Sequence, residues 1–284
     1  MAYDNTRYWI DIHRSLPGSL RAVGHPWLSE ALNELKYQSE AESLGMALEL
    51  AATPLAGKAS LKVLDIGTGT GYWAEAIVAW LACQKVTAEL TVLDISAEAL
   101  ANVKKRHPEF ETIHADLKAV DPSSQRGGFD LVTSFYCLHH IPRAADFLNG
   151  LRFAGRSVAS DGLFLLMDPI LARPYSPFHA MAFRSENTNG MPRTLSLIDD
   201  LLNAEGLERV VMVPAVSFIL NGAIEAGSKL VSELAGRTWY QLQRVYRRDG
   251  LTRRLSAAII ALDRKLKKAT KGLSSSLIIY HRIR

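Results

Sequence analysis

Residues 63–71 read VLDIGTGTG, an apolar run that ends in three glycines at alternate positions. Residues 72–82 continue with a helical pattern, so a strand feeds a glycine-rich turn and then the start of a helix. Glycine allows positive φ and lets a ligand approach the backbone closely, and the first turn of a helix offers backbone N–H groups without partners. This succession predicts a nucleotide-binding turn, with an ordinary tight strand-to-helix turn as the alternative.

The spacing of the glycines narrows the kind of nucleotide site. A dinucleotide fingerprint, G-x-G-x-x-G, would place its third glycine at position 72, where this chain has tyrosine. A phosphate loop would need Gly-Lys-Ser/Thr, which is absent. The pattern resembles the first motif of class I S-adenosylmethionine-dependent methyltransferases, whose glycine loop holds the aminoacyl end of the cofactor. This resemblance assigns five residues to the cofactor site: Asp65, Gly67, Thr68, Gly69 and Gly71.

Two further carboxylates follow in the order that this family shows. An apolar run ends in Asp94 and Ile95, and a carboxylate at that place accepts the hydroxyls of a ribose. The alternative is that Asp94 only caps the next helix. Asp116 resembles the family residue that accepts the adenine amino group, with the backbone N–H of Leu117 beside it, and a solvated loop aspartate is the alternative. The resemblance also assigns Phe135 to the cofactor site.

Apolar runs separated by helical patterns predict the fold class. Two of these runs cover residues 129–136 and 162–169, each bounded by turn residues, as parallel strands buried on both faces are. Alternation of strand and helix predicts right-handed βαβ units and hence an α/β fold with a doubly wound sheet. The resemblance implies a mostly parallel, seven-stranded sheet of the Rossmann-like methyltransferase type. Residues 207–217 and 276–283 are then strands six and seven, the seventh antiparallel beside the sixth.

This interpretation divides the chain into four parts. Residues 1–57 form an N-terminal helical lid, 58–217 the cofactor-binding core, 218–275 a helical insertion and 276–284 the final strand of the core sheet. In the family a short turn usually joins the last two strands. Here 58 residues intervene, so the insertion is a departure from the family plan.

Composition limits the other function classes. Two cysteines, Cys83 and Cys137, are too few for a disulfide framework and favour a reducing compartment. No ligand spacing indicates a metal site, and no apolar run approaches the roughly 18 residues of a membrane span. The N-terminus lacks the pattern of a secretory signal. We therefore expect a cytoplasmic protein without a metal ion.

The segment before the first strand is the expected lid. Its aromatic start supplies Tyr8, Trp9 and His13 as candidate substrate-binding residues, whose rings could stack on an apolar substrate or pack against the sheet. Arg21 is a candidate for binding a carboxylate of the cofactor or the substrate, with an exposed arginine as the alternative. A segment that closes over a site excludes water from the reaction.

The residues after the fourth strand supply the candidate base. Methyl transfer from a sulfonium needs alignment and exclusion of water, and a hydroxyl or acidic carbon acceptor also benefits from a base. His140 is the catalytic candidate because histidine titrates near neutrality, although both neighbouring histidines could be structural. His139 is expected to point away from His140, where it would pack or form hydrogen bonds at the border of the substrate pocket. Tyr136 is a further candidate that would help to shape this pocket.

The insertion carries most of the positive charge. Residues 236–272 hold eleven Lys or Arg and two Asp, a local net charge of +9 in a chain of +4. Solvated helix faces are the first interpretation, since five apolar residues recur at helical spacing and would face the core: Leu251, Leu255, Ile259, Leu262 and Leu266. The alternatives are an anionic substrate bound by paired arginines and peripheral contact of Arg237–Lys271 with an anionic membrane. No nucleic-acid-binding module is visible.

Together these features predict an S-adenosylmethionine-dependent methyltransferase that acts on a small, largely apolar molecule. Oxygen is the favoured acceptor atom and carbon is next. The Asn/Asp-Pro-Pro-Tyr motif, frequent in amine methyltransferases that act on DNA or protein, is absent after the fourth strand. Two alternatives remain: a lipid, isoprenoid or phosphate-bearing substrate at a membrane surface, and a regulatory protein that binds the cofactor without catalysis.

Overall fold

A mixed sheet forms the middle layer of the computed structural model, which describes residues 4–121, 127–171, 190–222, 229–269 and 273–283. The strands within these residues are β1 (Ser60–Ile66), β2 (Thr87–Asp94), β3 (Glu111–His114), β4 (Phe129–Phe135), β5 (Val158–Leu171), β6 (Arg193–Thr194), β7 (Leu207–Pro214) and β8 (Ser275–Arg282). Seven of them follow the order β3-β2-β1-β4-β5-β8-β7, and the two-residue β6 pairs with the end of β5.

Strand direction follows the doubly wound pattern. The strands β1 to β5 are parallel to one another, and β8 lies antiparallel between β5 and β7. The prediction of a mostly parallel sheet with an antiparallel last strand is therefore confirmed. Strand order reverses between β1 and β4, and the carboxyl ends of strands at such a reversal open a crevice in which these folds bind ligands.

Helices cover both faces of the sheet. The described helices are α1 (Asn5–Ser15), α2 (Leu20–Val23), α3 (Glu30–Ala51), α4 (Tyr72–Cys83), α5 (Ala97–Arg106), α6 (Ala144–Ser157), α7 (Leu195–Ala204), α8 (Phe218–Asn221), α9 (Lys229–Tyr246) and α10 (Asp249–Ala269). No helix among the described residues is both long enough and apolar enough to cross a bilayer. In the same residues, no group of three His, Cys, Asp or Glu side chains is arranged to hold a metal ion.

Alternate residues of the central strands supply two separate cores. Val63 of β1 packs with α3, α4 and α5 on one face, and Leu64 packs with α6 and α7 on the other. Burial on both faces explains why these strands read as continuous apolar runs. Helix α3 contributes Leu44 and Leu48 to the first core, so it belongs to a layer on the sheet, while α1 and α2 lie over the crevice.

A side-chain cap sets the start of one long helix, and two strand boundaries differ from the predicted ones. Helix α3 begins at Glu30 because the hydroxyl of Ser29 caps it, accepting a hydrogen bond from the backbone N–H of Leu32. Strand β7 ends at Pro214, earlier than predicted. Strand β8 begins at Ser275, one residue before the predicted start, because the pairing with β5 extends that far. These differences leave the order of the elements unchanged.

The buried face of α10 is only partly the predicted one. Ile259 and Leu266 pack against a core cluster as expected, but Leu255 and Leu262 are 41% and 49% exposed. The fully buried residues of the helix are Thr252, Ile260, Asp263 and Lys267. The cause is the surface that α10 meets on α3, which offers polar groups beside apolar ones. Helical periodicity alone therefore did not locate the whole buried face.

Buried hydrogen bonds join α10 to α3. The Asp263 carboxylate accepts from the Ser39 hydroxyl at 2.5 Å and from the backbone N–H of Ser217 at 2.9 Å. Lys267 Nζ donates to the backbone carbonyl of Ser39 at 3.1 Å and to the hydroxyl of Ser43 at 3.0 Å. The predicted insertion is thus tied to the body of the fold. Its residues 223–228 and 270–272 lie outside the described part.

Candidate functional site

The glycine turn begins where β1 ends. Gly67, Gly69 and Gly71 have φ of 74°, 52° and 83°, a region that disfavours residues with a Cβ. Space around the turn is also closed. A Cβ on Gly67 would lie 2.4 Å from Sγ of Cys137, and one on Gly69 would lie 2.6 Å from Cγ1 of Val23. The backbone of the turn is therefore packed closely against the end of α2 and the residues that follow β4.

Gly67→Ala is expected to destabilise the protein more than Gly57→Ala. Both glycines have positive φ, 74° and 80°, so both alanines carry a similar backbone strain of about 1–2 kcal/mol. Only at Gly67 would the new Cβ also overlap a neighbour, because nothing lies within 4 Å of a Cβ on Gly57. Urea unfolding of the two variants measures the difference, expected to exceed ~1 kcal/mol. Equal losses would contradict the close packing of the turn against Cys137.

Asp94 links the end of β2 to the glycine turn. Its carboxylate accepts from the backbone N–H of Gly69 and of Ser96, each at 2.8 Å. A carboxylate has about four acceptor positions, so further hydrogen bonds remain possible. The cap of α5 is the hydroxyl of Ser96, which accepts from the backbone N–H of Ala99. Helix capping therefore does not account for the Asp94 side chain.

Asp116 lies in the loop after β3, and a lysine links it to α1. Its carboxylate accepts from the backbone N–H of Lys118 at 2.9 Å, and Lys118 Nζ lies 3.4 Å from its second oxygen. The same Nζ donates to the hydroxyl of Thr6 in α1 at 3.0 Å. The sequence offers no signal for Lys118 or Thr6, since their meeting depends on how α1 crosses the sheet.

A cavity at the carboxyl ends of β1, β2 and β4 brings most of the predicted site residues together. It holds about 840 Å³ of empty space, its open mouth included. The predicted residues that line it are Trp9, His13, Gly67, Thr68, Gly69, Asp94, Ile95, Asp116, Leu117, Phe135, Tyr136 and His140. The lining also includes residues that the sequence interpretation missed, among them Asn5, Tyr37, Trp73 and Lys118.

The cavity suits an adenosyl ligand with an aminoacyl end. Asp94 and Asp116 supply acceptors on two neighbouring strand ends. Thr70 Oγ1 and Asn5 Oδ1 are buried in the cavity wall and have no hydrogen-bond partner among the described residues. Leaving such atoms unpaired is costly, so a ligand with several polar groups would satisfy them. The residues present therefore fit the cofactor that the sequence predicts.

Five predicted site residues lie outside the cavity wall: Asp65, Gly71, Tyr8, Arg21 and His139. The Asp65 carboxylate is buried under the turn and accepts from the hydroxyl of Thr133 at 2.6 Å. Burial raises the pKa of Asp65 to about 6, although the hydrogen bond from Thr133 by itself lowers this pKa. Arg21 donates from Nε to the backbone carbonyl of Pro26 at 3.1 Å, and Tyr8 packs edge-to-face on Trp9, with 5.2 Å between the ring centres.

His139 and His140 do not point to opposite sides, as the sequence interpretation expected. They belong to the 3₁₀ turn Leu138–His140, in which successive side chains are about 120° apart instead of alternating, and their ring centres are 3.8 Å apart. His140 lines the cavity, with 4.6 Å between its ring centre and that of Trp9. The two histidines are thus neighbours with different surroundings.

His139 forms a buried pair with Asp168. Its Nδ1 lies 2.8 Å from one carboxyl oxygen, and its backbone N–H donates to the other at 3.2 Å. Burial lowers the pKa of His139 to about 3 and raises the pKa of Asp168 to about 8. Burial thus disfavours the charged form of both side chains.

A buried ion pair holds Tyr136 in the cavity wall. The backbone of Tyr136 has φ of 54°, a strained value for this residue type. Its hydroxyl donates to the Glu40 carboxylate at 2.5 Å, and Lys36 Nζ lies 3.9 Å from the centre of its ring. Lys36 Nζ is 2.9 Å from Glu40 Oε1, and the two side chains are 2% and 0% exposed. The spacing of four residues between Lys36 and Glu40 is visible in the sequence, but the sequence does not show that both side chains point into the protein.

Comparison with known proteins agrees with this geometry. A family model described as "Methyltransferase domain" matches residues 37–211. A protein of Mycobacterium tuberculosis, named as a probable S-adenosylmethionine-dependent methyltransferase, is 26% identical over 141 residues, 48% of this chain and 48% of its own length. A non-reducing polyketide synthase of Preussia isomera is 28% identical over 115 residues, 39% of this chain and 4% of its own length. The chain thus spans half or less of these relatives.

A solved structure shows the same fold. The crystal structure of a protein from Galdieria sulphuraria, provisionally named a sarcosine dimethylglycine methyltransferase, superposes with a TM-score of 0.53. The two proteins share 15% sequence identity, and the match covers 86% of this chain and 84% of the other. At that identity the likeness concerns the fold alone.

Proposed function

Since this chain belongs to the class I S-adenosylmethionine-dependent methyltransferases, we propose that it transfers a methyl group to a small, largely apolar molecule. We favour oxygen as the acceptor atom, with carbon next. The observation that carries the proposal is one cavity in which the glycine turn, two carboxylates and His140 meet beneath α1. We also propose that residues 1–57 act as the lid, 58–217 and 276–284 as the core and 218–275 as an insertion.

The proposed cofactor contacts follow from the groups in the cavity wall. Asp94 would accept the ribose hydroxyls and Asp116 the adenine amino group, with the backbone N–H of Leu117 beside it. The backbone of Gly67 and Gly69, which lines the cavity, would contact the aminoacyl end. When bound, S-adenosylmethionine supplies an electrophilic methyl group on its sulfonium.

The acceptor side of the cavity is aromatic and apolar. Trp9, Tyr136 and Ile141 contribute to its wall, and Trp9 belongs to α1. Such a wall binds an apolar acceptor by burying its surface and keeps water away from the reacting groups. The free thiols Cys83 and Cys137 are consistent with the proposed cytoplasmic location.

His140→Gln is expected to slow methylation of a hydroxyl acceptor by about 10²–10⁴-fold, the usual contribution of a general base. The imidazole would take the proton of the acceptor hydroxyl as its oxygen attacks the methyl group. Binding of S-adenosylhomocysteine, measured by calorimetry, should change little. His107→Gln, a change in a histidine outside the cavity at the end of α5, is the control. Equal rates for wild type and His140→Gln would contradict the role of base.

A panel of acceptors tests the proposed substrate class. The protein is incubated with S-adenosylmethionine carrying a labelled methyl group and with phenols, carbon acids, amines and peptides, and labelled products are identified by mass spectrometry. Label in phenols or carbon acids is the expected result. Label confined to amines or peptides would overturn the acceptor assignment. No label in any acceptor, with S-adenosylhomocysteine still bound, would favour the non-catalytic alternative.

A lipid, isoprenoid or phosphate-bearing acceptor at a membrane surface is the second candidate. It is favoured by one observation, the exposure of Leu255 and Leu262 on a helix rich in arginine and lysine. An apolar acceptor of this kind would suit the same aromatic wall. Adding isoprenoid alcohols and phospholipid headgroup analogues to the panel distinguishes it from the first candidate.

A further inference from the structure

The two long helices of the insertion turn apolar side chains towards solvent. Leu255 and Leu262 of α10 are 41% and 49% exposed, and Leu230 and Leu234 of α9 are 75% and 64% exposed. Positions four or seven residues apart lie on one face of a helix. Each helix therefore presents an exposed apolar ridge, which we call the outer face of that helix.

These leucines do not take part in attaching α10 to the core. The inward positions of the helix belong to Thr252, Ile260, Asp263 and Lys267, and the last two hydrogen-bond to Ser217 and to α3. Leu255 and Leu262 lie beside this buried strip and remain exposed. Large exposed apolar residues that recur along a helix mark an interaction surface.

Basic residues border both ridges. Lys265 lies three residues after Leu262, and Arg254 lies on the neighbouring strip of the same helix. On α9, Arg237 and Arg244 continue the face of Leu234, at spacings of three and ten residues. Unlike Arg253 and Arg264, which pair with Glu34 and Glu42, four cations have no acidic partner within 4 Å among the described residues: Arg237, Arg244, Arg254 and Lys265.

We propose that the outer faces of α9 and α10 form a peripheral binding surface for a membrane of anionic lipids. The leucines would enter the boundary between headgroups and acyl chains, and the unpaired cations would approach the lipid phosphates. Charge complementarity selects this occupant. A second copy of the same surface would bring like charges together, and a nucleic acid would bind the cations but leave the leucines exposed.

The surface is independent of the proposed methyl transfer. Neither outer face contributes a residue to the cavity wall, so vesicle binding needs neither cofactor nor acceptor. Failure of the vesicle experiment would leave the methyltransferase proposal intact, and failure of the acceptor panel would leave the surface intact.

Vesicle sedimentation at low salt tests the proposal on the full chain. The protein is expected to sediment with vesicles of phosphatidylcholine and phosphatidylserine, to stay in solution with pure phosphatidylcholine, and to be released by high salt. Arg254→Glu with Lys265→Glu should weaken binding by at least roughly 25-fold, since each basic residue contributes a factor of about five. Leu255→Ser with Leu262→Ser should weaken it by at least about tenfold.

A matched control carries the same change of net charge elsewhere. Lys62→Glu with Lys105→Glu alters two exposed lysines on β1 and α5, and binding should stay within about threefold of wild type because distant charges are screened. Unchanged melting temperatures verify that each variant is folded.

Four results would overturn the proposal. The first is wild-type protein that remains in solution with anionic vesicles at low salt. The second is a control variant that loses as much binding as Arg254→Glu with Lys265→Glu. The third is a pair of results: the leucine variant binds vesicles as the wild type does, and the wild type is also retained on heparin. Together they would indicate a general site for polyanions. The fourth is a dimer in gel filtration that the leucine changes dissociate, which assigns the surface to a second copy.

Discussion

Asp94→Ala is expected to lower the affinity for S-adenosylhomocysteine by at least about 100-fold in calorimetric titration. Two hydrogen bonds from ribose hydroxyls to a carboxylate, at roughly 1.5–3 kcal/mol each, account for a loss of this size. The same change removes the acceptor of the backbone N–H groups of Gly69 and Ser96. The glycine turn therefore loses its link to β2 together with the ribose contact.

Asp130→Ala is the matched control for this prediction. The Asp130 carboxylate also accepts a backbone N–H, that of Lys62, at 2.9 Å, but it lies at the beginning of β4, the strand end opposite the cavity. Its removal should leave the affinity within about threefold of wild type, since no group of the cavity wall changes. Retention of wild-type affinity in Asp94→Ala would contradict the ribose role. Absence of binding in the wild type would contradict the cofactor assignment itself.

Glu40→Leu is expected to lower the free energy of unfolding by about 3–5 kcal/mol. The change leaves the ammonium group of Lys36, 2% exposed, without its carboxylate in the interior, and burial already lowers the pKa of Lys36. The hydroxyl of Tyr136 also loses its acceptor. The double variant Lys36→Met with Glu40→Leu should lose much less free energy of unfolding, because neither charge of this pair then remains buried.

The exposed ion pair between Arg264 and Glu42 provides the control for this double-mutant cycle of Lys36 and Glu40. It joins α10 to α3 with an N–O distance of 2.7 Å, but its side chains are 56% and 29% exposed. Its coupling energy should be about 1 kcal/mol or less, as for other surface pairs. Urea unfolding of the single and double variants of both pairs gives the coupling energies. Equal coupling energies for the two pairs would contradict the role assigned to burial.

The first half of the fold could be predicted because its signals are local. The run from Val63 to Gly71 encodes a strand, a turn that needs glycine and a helix start within a few residues. The position of Asp94 follows from the length of the next strand, since the carboxyl ends of parallel strands meet at one edge of the sheet. The cavity residues of the glycine turn and of the strand ends are of this kind.

The placement of α10 could not be predicted in the same way. Its periodicity supports two overlapping faces, one centred on the apolar residues and one that buries Thr252, Ile260, Asp263 and Lys267. The choice between them depends on Ser39 and Ser43 of α3, more than 200 residues earlier in the chain. Only packing of the two helices reveals which side is buried.

The sequence by itself therefore determined the doubly wound sheet, the glycine turn and the carboxylates at its edge, because the backbone conformation and strand order behind them are specified over short stretches. The tertiary structure decided the rest. It placed the pair of Lys36 and Glu40 behind Tyr136, paired His139 with Asp168 and left Leu255 and Leu262 of α10 exposed. Each of these depends on which distant polar groups meet inside the protein, where an unpaired charge or hydrogen-bonding group is too costly to leave.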